Sequence, residues 1–288
     1  MKIAVLSGKG GTGKTFVSVN LSVTAPQALY VDCDVEEPNG HLFLKPEAVS
    51  TSKVVKRLPV FDAEKCTGCR ACLDFCRFNA LAYIKDKPMV FKDVCHSCGG
   101  CELICKHGAV SEEAVEIGHI DVGMHNHVEV ASGFLNIGEA SGIAIIQGLL
   151  RHADAYKGDN IVIDCPPGSA CIVMESIKDA DFCVLVAEPT AFGAHNLEMV
   201  YELVSLFGKP FGVVLNKCLD GENPSEEFCK EKGIKILGRV PFEKELGELN
   251  SNAKIAARES EKYNKLFKNI LETVKGEVQR ETASYTER

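Results

Sequence analysis

Six short apolar runs punctuate the chain, at 2–7 (KIAVLS), 28–33 (ALYVDC), 160–165 (NIVIDC), 181–187 (DFCVLVA), 210–216 (PFGVVLN) and 235–240 (KILGRV). They are near-continuous rather than alternating, as in parallel strands buried on both faces. Between them, apolar positions recur at helical spacing over 14–24, 141–153, 193–207 and 259–275. This alternation predicts an α/β fold built on a doubly wound, mainly parallel sheet. It breaks at about 54–118, where short strand-like pieces at 80–84, 89–91 and 114–117 lie among turns. The pattern resumes after about residue 130. The sequence therefore predicts a discontinuous domain, 1–53 and 119–288, interrupted by a small α+β domain at 54–118. The tail from about 276 is polar and is expected to fray.

Composition narrows the function classes. The 288 residues are 45% apolar and 25% charged, as in an ordinary folded protein. No apolar run approaches the ~18 residues of a membrane span. The opening MKIAVLSGKG runs from a strand into a glycine loop and lacks the pattern of a signal peptide. A cytoplasmic location is expected. A net charge of −8 argues against nucleic acid as a partner. Fourteen cysteines in such a chain point to metal or redox use rather than disulfides. Eight of them lie between residues 66 and 105. The other six are Cys33, Cys165, Cys171, Cys183, Cys218 and Cys229, and most are expected to pack as small apolar residues.

Residues 8–15 read GKGGTGKT, directly after a predicted strand and before a predicted helix. This is the phosphate-loop pattern in its required context. Gly8, Gly10, Gly11 and Gly13, with Thr12 between the last two, let the backbone turn tightly and aim N–H groups at phosphate oxygens. The helix N-terminus adds partial positive charge. Lys14 is expected to reach the β- and γ-phosphates and Thr15 to ligate Mg²⁺. Phe16 follows directly and is counted among the nucleotide-binding residues. ATP, ADP and Mg²⁺ are the expected ligands.

A lysine directly after the first glycine makes this loop resemble the deviant Walker A motif of the MinD/ParA family. That superfamily also holds nitrogenase iron protein, the arsenite-pump ATPase and Mrp/Nbp-type cluster carriers. The resemblance implies that Lys9 reaches across a dimer to the ATP of the other subunit. It covers nearly the whole chain and assigns further roles. Asp34, closing YVDCD at 30–34, would orient the attacking water. Asp164, in IVIDCPPG at 161–168, would hold Mg²⁺ through a water, and Gly168 would sense the γ-phosphate. Asn216 and Lys217 would contact adenine, and Pro241, in VPF at 240–242, would close the base pocket. Glu36 and Glu37 lie near Asp34 and read as solvated acids.

The interrupting segment contains an internal repeat. Cys66, Cys69, Cys72 and Cys76 recur as Cys95, Cys98, Cys101 and Cys105. Each set is the C-x₂-C-x₂-C-x₃-C run of bacterial ferredoxins, in which the fourth cysteine ligates the other cluster. Two 4Fe–4S clusters are expected, one on Cys66, Cys69, Cys72 and Cys105, the other on Cys95, Cys98, Cys101 and Cys76. The usual proline after the fourth cysteine is replaced by Arg77 and Lys106. Structural zinc is the alternative, although zinc sites normally use pairs of C-x₂-C knuckles.

Other features leave alternatives open. His119, His125 and His127 form either a labile metal site or ordinary surface positions. Cys171 stands where nitrogenase iron protein has a cluster cysteine, but 133–148 offers no second cysteine, and a buried, inert thiol is expected. The C-P-x-C motif of Mrp/Nbp carriers is missing near the C-terminus, and the last predicted helix lacks the basic, bulky character of a membrane anchor. The chain resembles MinD-superfamily ATPases with an inserted ferredoxin domain. That resemblance implies a homodimer, or a heterodimer with a paralogue, coupling nucleotide state to electron transfer or cluster maturation on a redox or cluster-assembly protein. The alternative is a MinD/ParA-like positioning ATPase whose clusters are structural or sense redox state.

Overall fold

In a computed structural model, residues 1–85 and 87–286 are described, with residues 281–286 described by backbone alone. The chain begins β1 (Lys2–Leu6), α1 (Lys14–Thr24), β2 (Ala28–Asp32), α2 (Gly40–Leu44) and β3 (Glu47–Phe61). The cysteine-rich part holds α3 (Ala71–Phe75), β4 (Leu81–Ile84), β5 (Lys87–Val90) and α4 (Gly100–Ile104). There follow β6 (Val110–His125), β7 (Val128–Leu135), α5 (Ile143–Ala155), β8 (Asn160–Asp164) and α6 (Cys171–Ile177). The chain continues with β9 (Phe182–Ala187), α7 (Ala191–Leu206), β10 (Phe211–Cys218), α8 (Pro224–Lys232) and β11 (Ile236–Pro241). Helices α9 (Lys244–Ser251), α10 (Ala256–Glu259) and α11 (Glu261–Thr286) complete it.

Nine strands form one sheet in the order β11-β10-β9-β1-β8-β2-β7-β6-β3. From β11 to β7 every pairing is parallel. The apolar runs are buried on both sheet faces, which is why they do not alternate. One face packs Leu29, Val31, Ile163 and Leu185 against Ile145 and Leu149 of α5 and Leu197 and Val200 of α7. The other packs Ile3, Val5, Tyr30 and Val184 against Phe16 and Val19 of α1 and Tyr263, Phe267 and Ile270 of α11. The tail does not fray at 276. The helix continues to Thr286, with Val274 and Val278 packed on this second core; Glu287 and Arg288 lie outside the described residues.

The far edge of the sheet differs from the sequence expectation. Strands β3 and β6, together with β7, extend the main sheet, with β6 antiparallel to both neighbours. The boundaries expected at 53/54 and 118/119 fall inside β3 and β6. Polar, exposed positions along β3 hid it from the apolar pattern. Strand β7 pairs with β6 only from Gly118 to His125. Beyond that, Val55–Phe61 and Val110–Glu116 continue as a two-stranded stalk. A register shift between Val54 and Val55 leaves Ile117 as a bulge at the base of this stalk. Ile117 is buried, and its carbonyl accepts from the Asn136 N–H at 2.9 Å.

Residues 62–109 sit at the stalk's tip, and the sequence repeat is a structural one. Left-handed backbone at Gly68, Arg70 and Asn79 recurs at Ser97, Gly99 and Gly108. The N–H of Cys66 donates to the Asp62 carbonyl, and that of Cys95 to the Phe91 carbonyl. The N–H of Asp62 donates to the Ala109 carbonyl, and that of Phe91 to the Ala80 carbonyl. Two like halves thus embrace each other, each completing the other's edge.

Candidate active site and cysteine cavities

The phosphate loop joins β1 to α1 at the C-terminal edge of the parallel strands, where ligands of open α/β sheets bind. Its shape depends on missing side chains. A Cβ on Gly8 would come within 2.2 Å of the Asn196 carbonyl oxygen. Gly13 has φ 96°, and a Cβ there would meet Asn216 Nδ2 at 2.1 Å. Asn216 Nδ2 instead donates to the Thr12 carbonyl at 2.7 Å.

A cavity of about 400 Å³ opens beside the loop. Gly10, Gly11, Gly13, Lys14, Thr15 and Phe16 line it on one side, and Lys9 also reaches its wall. Asp34 and Pro167 lie on the wall as well, as do Asn216, Lys217 and Pro241. Gly8, Thr12, Asp164 and Gly168 are not on the wall. Gly168, left-handed at φ 91°, donates its N–H to the Ser7 carbonyl at 2.9 Å. Phe43, Phe242 and Leu246 line the cavity too, and Phe43 and Leu246 escaped the sequence reading because α2 and α9 carry no nucleotide motif.

Lys14 is buried, and its Nζ donates to Asp164 Oδ1 at 3.0 Å and to Asp34 Oδ2 at 3.3 Å. Burial alone would lower its pKa, but the two carboxylates outweigh that and hold the ammonium firmly charged. Tyr30, fully buried, donates its hydroxyl to the other oxygen of Asp164, Oδ2, at 2.9 Å. Asp32 is also fully buried and accepts from the Gly40 N–H at 2.9 Å. Burial, then the nearby Asp164 charge, pushes the Asp32 carboxyl well above its ordinary range. Asp34 and Asp164 thus hold the Lys14 ammonium between them, while the Asp32 carboxyl behind them is pushed towards its neutral form. The oxygens of Asp164 and Thr15 are hard donors of the kind that suit a divalent cation. Tyr30 and Asp32 belong to the YVDCD segment, but the resemblance gave a role to Asp34 and none to these two, which sit inside a strand that reads as core.

Lys9 does not point away from its own chain. Its Nζ lies 3.0 Å from Glu188 Oε2 and 5.0 Å from the centroid of the Phe192 ring. Glu188 Oε1 pairs with Lys217 at 2.6 Å. Burial would raise the Glu188 carboxyl, but hydrogen bonds from Lys217 and Lys9 outweigh it and hold it below the ordinary range. Glu188 follows the C-terminal end of β9, a position that itself signals a site in such sheets.

At the stalk's tip, Cys66, Cys69, Cys72 and Cys105 line one cavity. Cys76, Cys95, Cys98 and Cys101 line a second. Burial, followed by the neighbouring Cys76, Cys95 and Cys98, pushes the Cys101 thiol up to about 11. Backbone N–H groups point at two of the sulfurs in matching fashion, Ala80 at Cys76 Sγ (3.4 Å) and Ala109 at Cys105 Sγ (3.3 Å). Among the described residues, no group of three or more His, Cys, Asp or Glu could hold a single metal ion. His107 lines the first cavity and His96 the second, where His96 stacks on Phe78 at 3.8 Å.

The remaining candidates disperse. His119 stacks on Phe134, His125 contacts Arg258, and His127 meets the Val23 carbonyl, so the three histidines do not converge. Cys33, Cys165, Cys183 and Cys229 are buried and Cys218 is half-buried. Cys171, expected to be buried, is exposed at the start of α6, because the PPGSA turn carries the chain out of the sheet before the helix begins.

A phosphate loop closing on Lys14 and Thr15, at the carboxyl edge of a parallel sheet and facing Asp34 and Asp164, defines a P-loop ATPase. More narrowly, the chain belongs to the CobQ/CobB/MinD/ParA nucleotide-binding domain family, whose profile matches residues 3–255. It is 30% identical over 278 residues to an uncharacterized protein of Methanocaldococcus jannaschii, covering 96% of each chain. It is 24% identical over 301 residues to an iron-sulfur cluster carrier protein of the same organism, covering 96% of this chain and 85% of that one. The septum site-determining protein MinD complexed with Mg-ADP, from Pyrococcus horikoshii, matches with a TM-score of 0.60 at 19% identity over 95% of each chain. The cell division ATPase MinD of Pyrococcus furiosus also scores 0.60, at 20% identity over 96% of this chain and 98% of that one. These two likenesses are of fold. Among the described residues no helix is long and apolar enough to cross a membrane.

Proposed function

We propose that this ATPase is an iron–sulfur protein that couples nucleotide state to electron transfer or cluster maturation on a partner. The ATPase domain would comprise 1–53 and 119–288, and the inserted ferredoxin-like domain 54–118, with strands β3 and β6 running unbroken across the two boundaries. The observation that carries the reading is the sorting of eight cysteines into two fours, each around its own cavity, in the crossed pattern that two-cluster ferredoxins use. Cys66, Cys69, Cys72 and Cys105 would hold one 4Fe–4S cluster, and Cys95, Cys98, Cys101 and Cys76 the other. Such clusters supply reversible one-electron storage.

In the ATPase site, Lys14 moves from its carboxylates to the β- and γ-phosphates. Thr15 and Asp164 would hold Mg²⁺, and Asp34 orients the attacking water. Asn216, Lys217 and Pro241 contact the base. Gly168, whose N–H is held by the Ser7 carbonyl, would sense the γ-phosphate. Phosphoryl transfer needs this positioning and charge neutralisation more than covalent chemistry. Lys9 completes the site of a second copy or paralogue in a closed dimer.

Coupling has a short physical route. The residue after Asp34, Val35, accepts from the Leu135 N–H at 2.9 Å. The next residue, Asn136, donates to the bulged Ile117 at the stalk's base. Lys56 on the stalk pairs with Glu139 in the same loop at 2.5 Å. A displacement of Asp34 on hydrolysis is thereby passed to the strands that carry the cysteines. Anaerobic redox titration with and without a non-hydrolysable ATP analogue tests the reading, and linkage requires ATP affinity to differ between oxidised and reduced protein. Indifference of each site to the other would leave the positioning ATPase with structural clusters as the better reading.

A further inference from the structure

Glu188 belongs to none of the nucleotide motifs, yet it holds two lysines of the site. Its own backbone is fixed, since its carbonyl accepts from Ser225 Oγ at 2.6 Å and from the Thr190 N–H at 2.9 Å. Its carboxylate is divided, Oε2 to Lys9 at 3.0 Å and Oε1 to Lys217 at 2.6 Å. Only 13% of the Glu188 side chain is exposed, against 34% for Lys9. The Lys9 carbonyl is held by Ser7 Oγ at 2.8 Å and Thr12 Oγ1 at 3.0 Å. The freedom left to Lys9 is therefore in its side chain, which rests between Glu188 and the exposed Phe192 ring.

We infer that Glu188 is a positioning residue, a latch that holds Lys9 against its own chain until a second nucleotide-bound copy offers phosphate. The inference rests on the reading of Lys9 as the lysine that acts across a dimer. One ammonium cannot serve both places, so the latched state competes with dimer closure and lowers the population ready to close. A phosphate chain carries more negative charge than a carboxylate already shared with Lys217, so the exchange runs towards the dimer when ATP is present. The second lysine makes release inexpensive. When Lys9 leaves, Glu188 keeps Lys217, which also holds the Gly11 carbonyl at 2.8 Å. No half-buried charge is stranded, and the phosphate loop keeps its brace.

The test compares wild type with Glu188→Gln, which keeps the shape and removes the charge. Lys9 acylation by a water-soluble reagent is followed by mass spectrometry in nucleotide-free protein. Self-association is followed by sedimentation with a non-hydrolysable ATP analogue. In the variant, Lys9 should be labelled faster and the half-association concentration should fall, each by roughly 3- to 10-fold. High salt should shrink both differences. Unchanged labelling, or association at the same concentration in both proteins, overturns the latch and leaves the dimer reading standing. No association in either protein overturns the dimer reading and the latch with it. Association is read at saturating analogue, so that any weakening of nucleotide binding by loss of the Lys217 contact does not enter the comparison.

Discussion

The Tyr30 hydroxyl donates to Asp164 Oδ2 at 2.9 Å from a wholly buried position, while Lys14 holds Oδ1 of the same carboxylate at 3.0 Å. The acid read as the Mg²⁺ holder is thus pinned on both oxygens before any nucleotide arrives. Tyr30→Phe removes one pin and adds no bulk. The variant should lose roughly 1.5–3 kcal/mol of stability in urea unfolding, the cost of depriving a buried carboxylate of its donor. Its kcat for ATP should fall about 3- to 10-fold, because the carboxylate is no longer held in one orientation.

Lys14 and Asp34 should separate by phenotype. Lys14→Ala removes the phosphate contact and leaves Asp164 and Asp34 facing each other, so nucleotide binding should vanish in calorimetric titration. Asp34→Ala keeps the phosphate contacts and should bind ATP while losing about 100-fold or more in hydrolysis, as expected when water positioning is lost. Wild-type turnover in Asp34→Ala would refute its assigned role.

Anaerobically prepared protein should be brown and hold about eight irons and eight inorganic sulfides per chain, the content of two four-iron clusters. Cys76→Ala should remove the spectroscopic signal of the cluster assigned to Cys95, Cys98 and Cys101 and spare the other. Two zinc ions and no iron in elemental analysis would refute the cluster assignment.

The stalk clamp offers a separate handle. Glu139→Gln breaks the pair with Lys56 but touches neither the ATPase site nor the cysteines. Iron content and steady-state ATP hydrolysis should remain near wild type. Any nucleotide-induced shift in midpoint potential should shrink. An undiminished shift would place the coupling elsewhere.

Glu226 carries the pH prediction. Hydrogen bonds from Arg239 and Lys230 depress its carboxyl to about 2 from an ordinary 4.5. A depressed carboxylate contributes stability that is fully present above its unfolded value and is lost as pH falls through its folded one. Wild type should therefore exceed Glu226→Gln in melting temperature at neutral pH, and the gap should close between pH 4.5 and 2. The pair is largely solvated, so the difference should be only about 0.5–1 kcal/mol.

Much of this was legible in the residues. The parallel core strands announce themselves because burial on both faces demands unbroken apolar runs, as in Ile161-Val162-Ile163. The phosphate loop and the cysteine runs are equally plain, since a tight anion-binding turn requires glycines at short, fixed spacing and each C-x₂-C-x₂-C-x₃-C run is complete within one stretch of chain. Strand β3 was not legible. Its outer positions face solvent, so EAVSTSKVV carries no apolar signature and only pairing with β6 defines it.

The sequence by itself determined the local motifs, because GKGGTGKT and the two cysteine runs each lie within one short stretch of chain. Only the tertiary structure decided how these parts meet. Tyr30 reaches Asp164, Glu188 reaches Lys9 and Lys217, and Asn136 reaches Ile117 across separations that no local pattern encodes. Those pairings follow from strand order and register, which place distant residues on one face at one height and turn buried, ordinary-looking side chains into parts of the site.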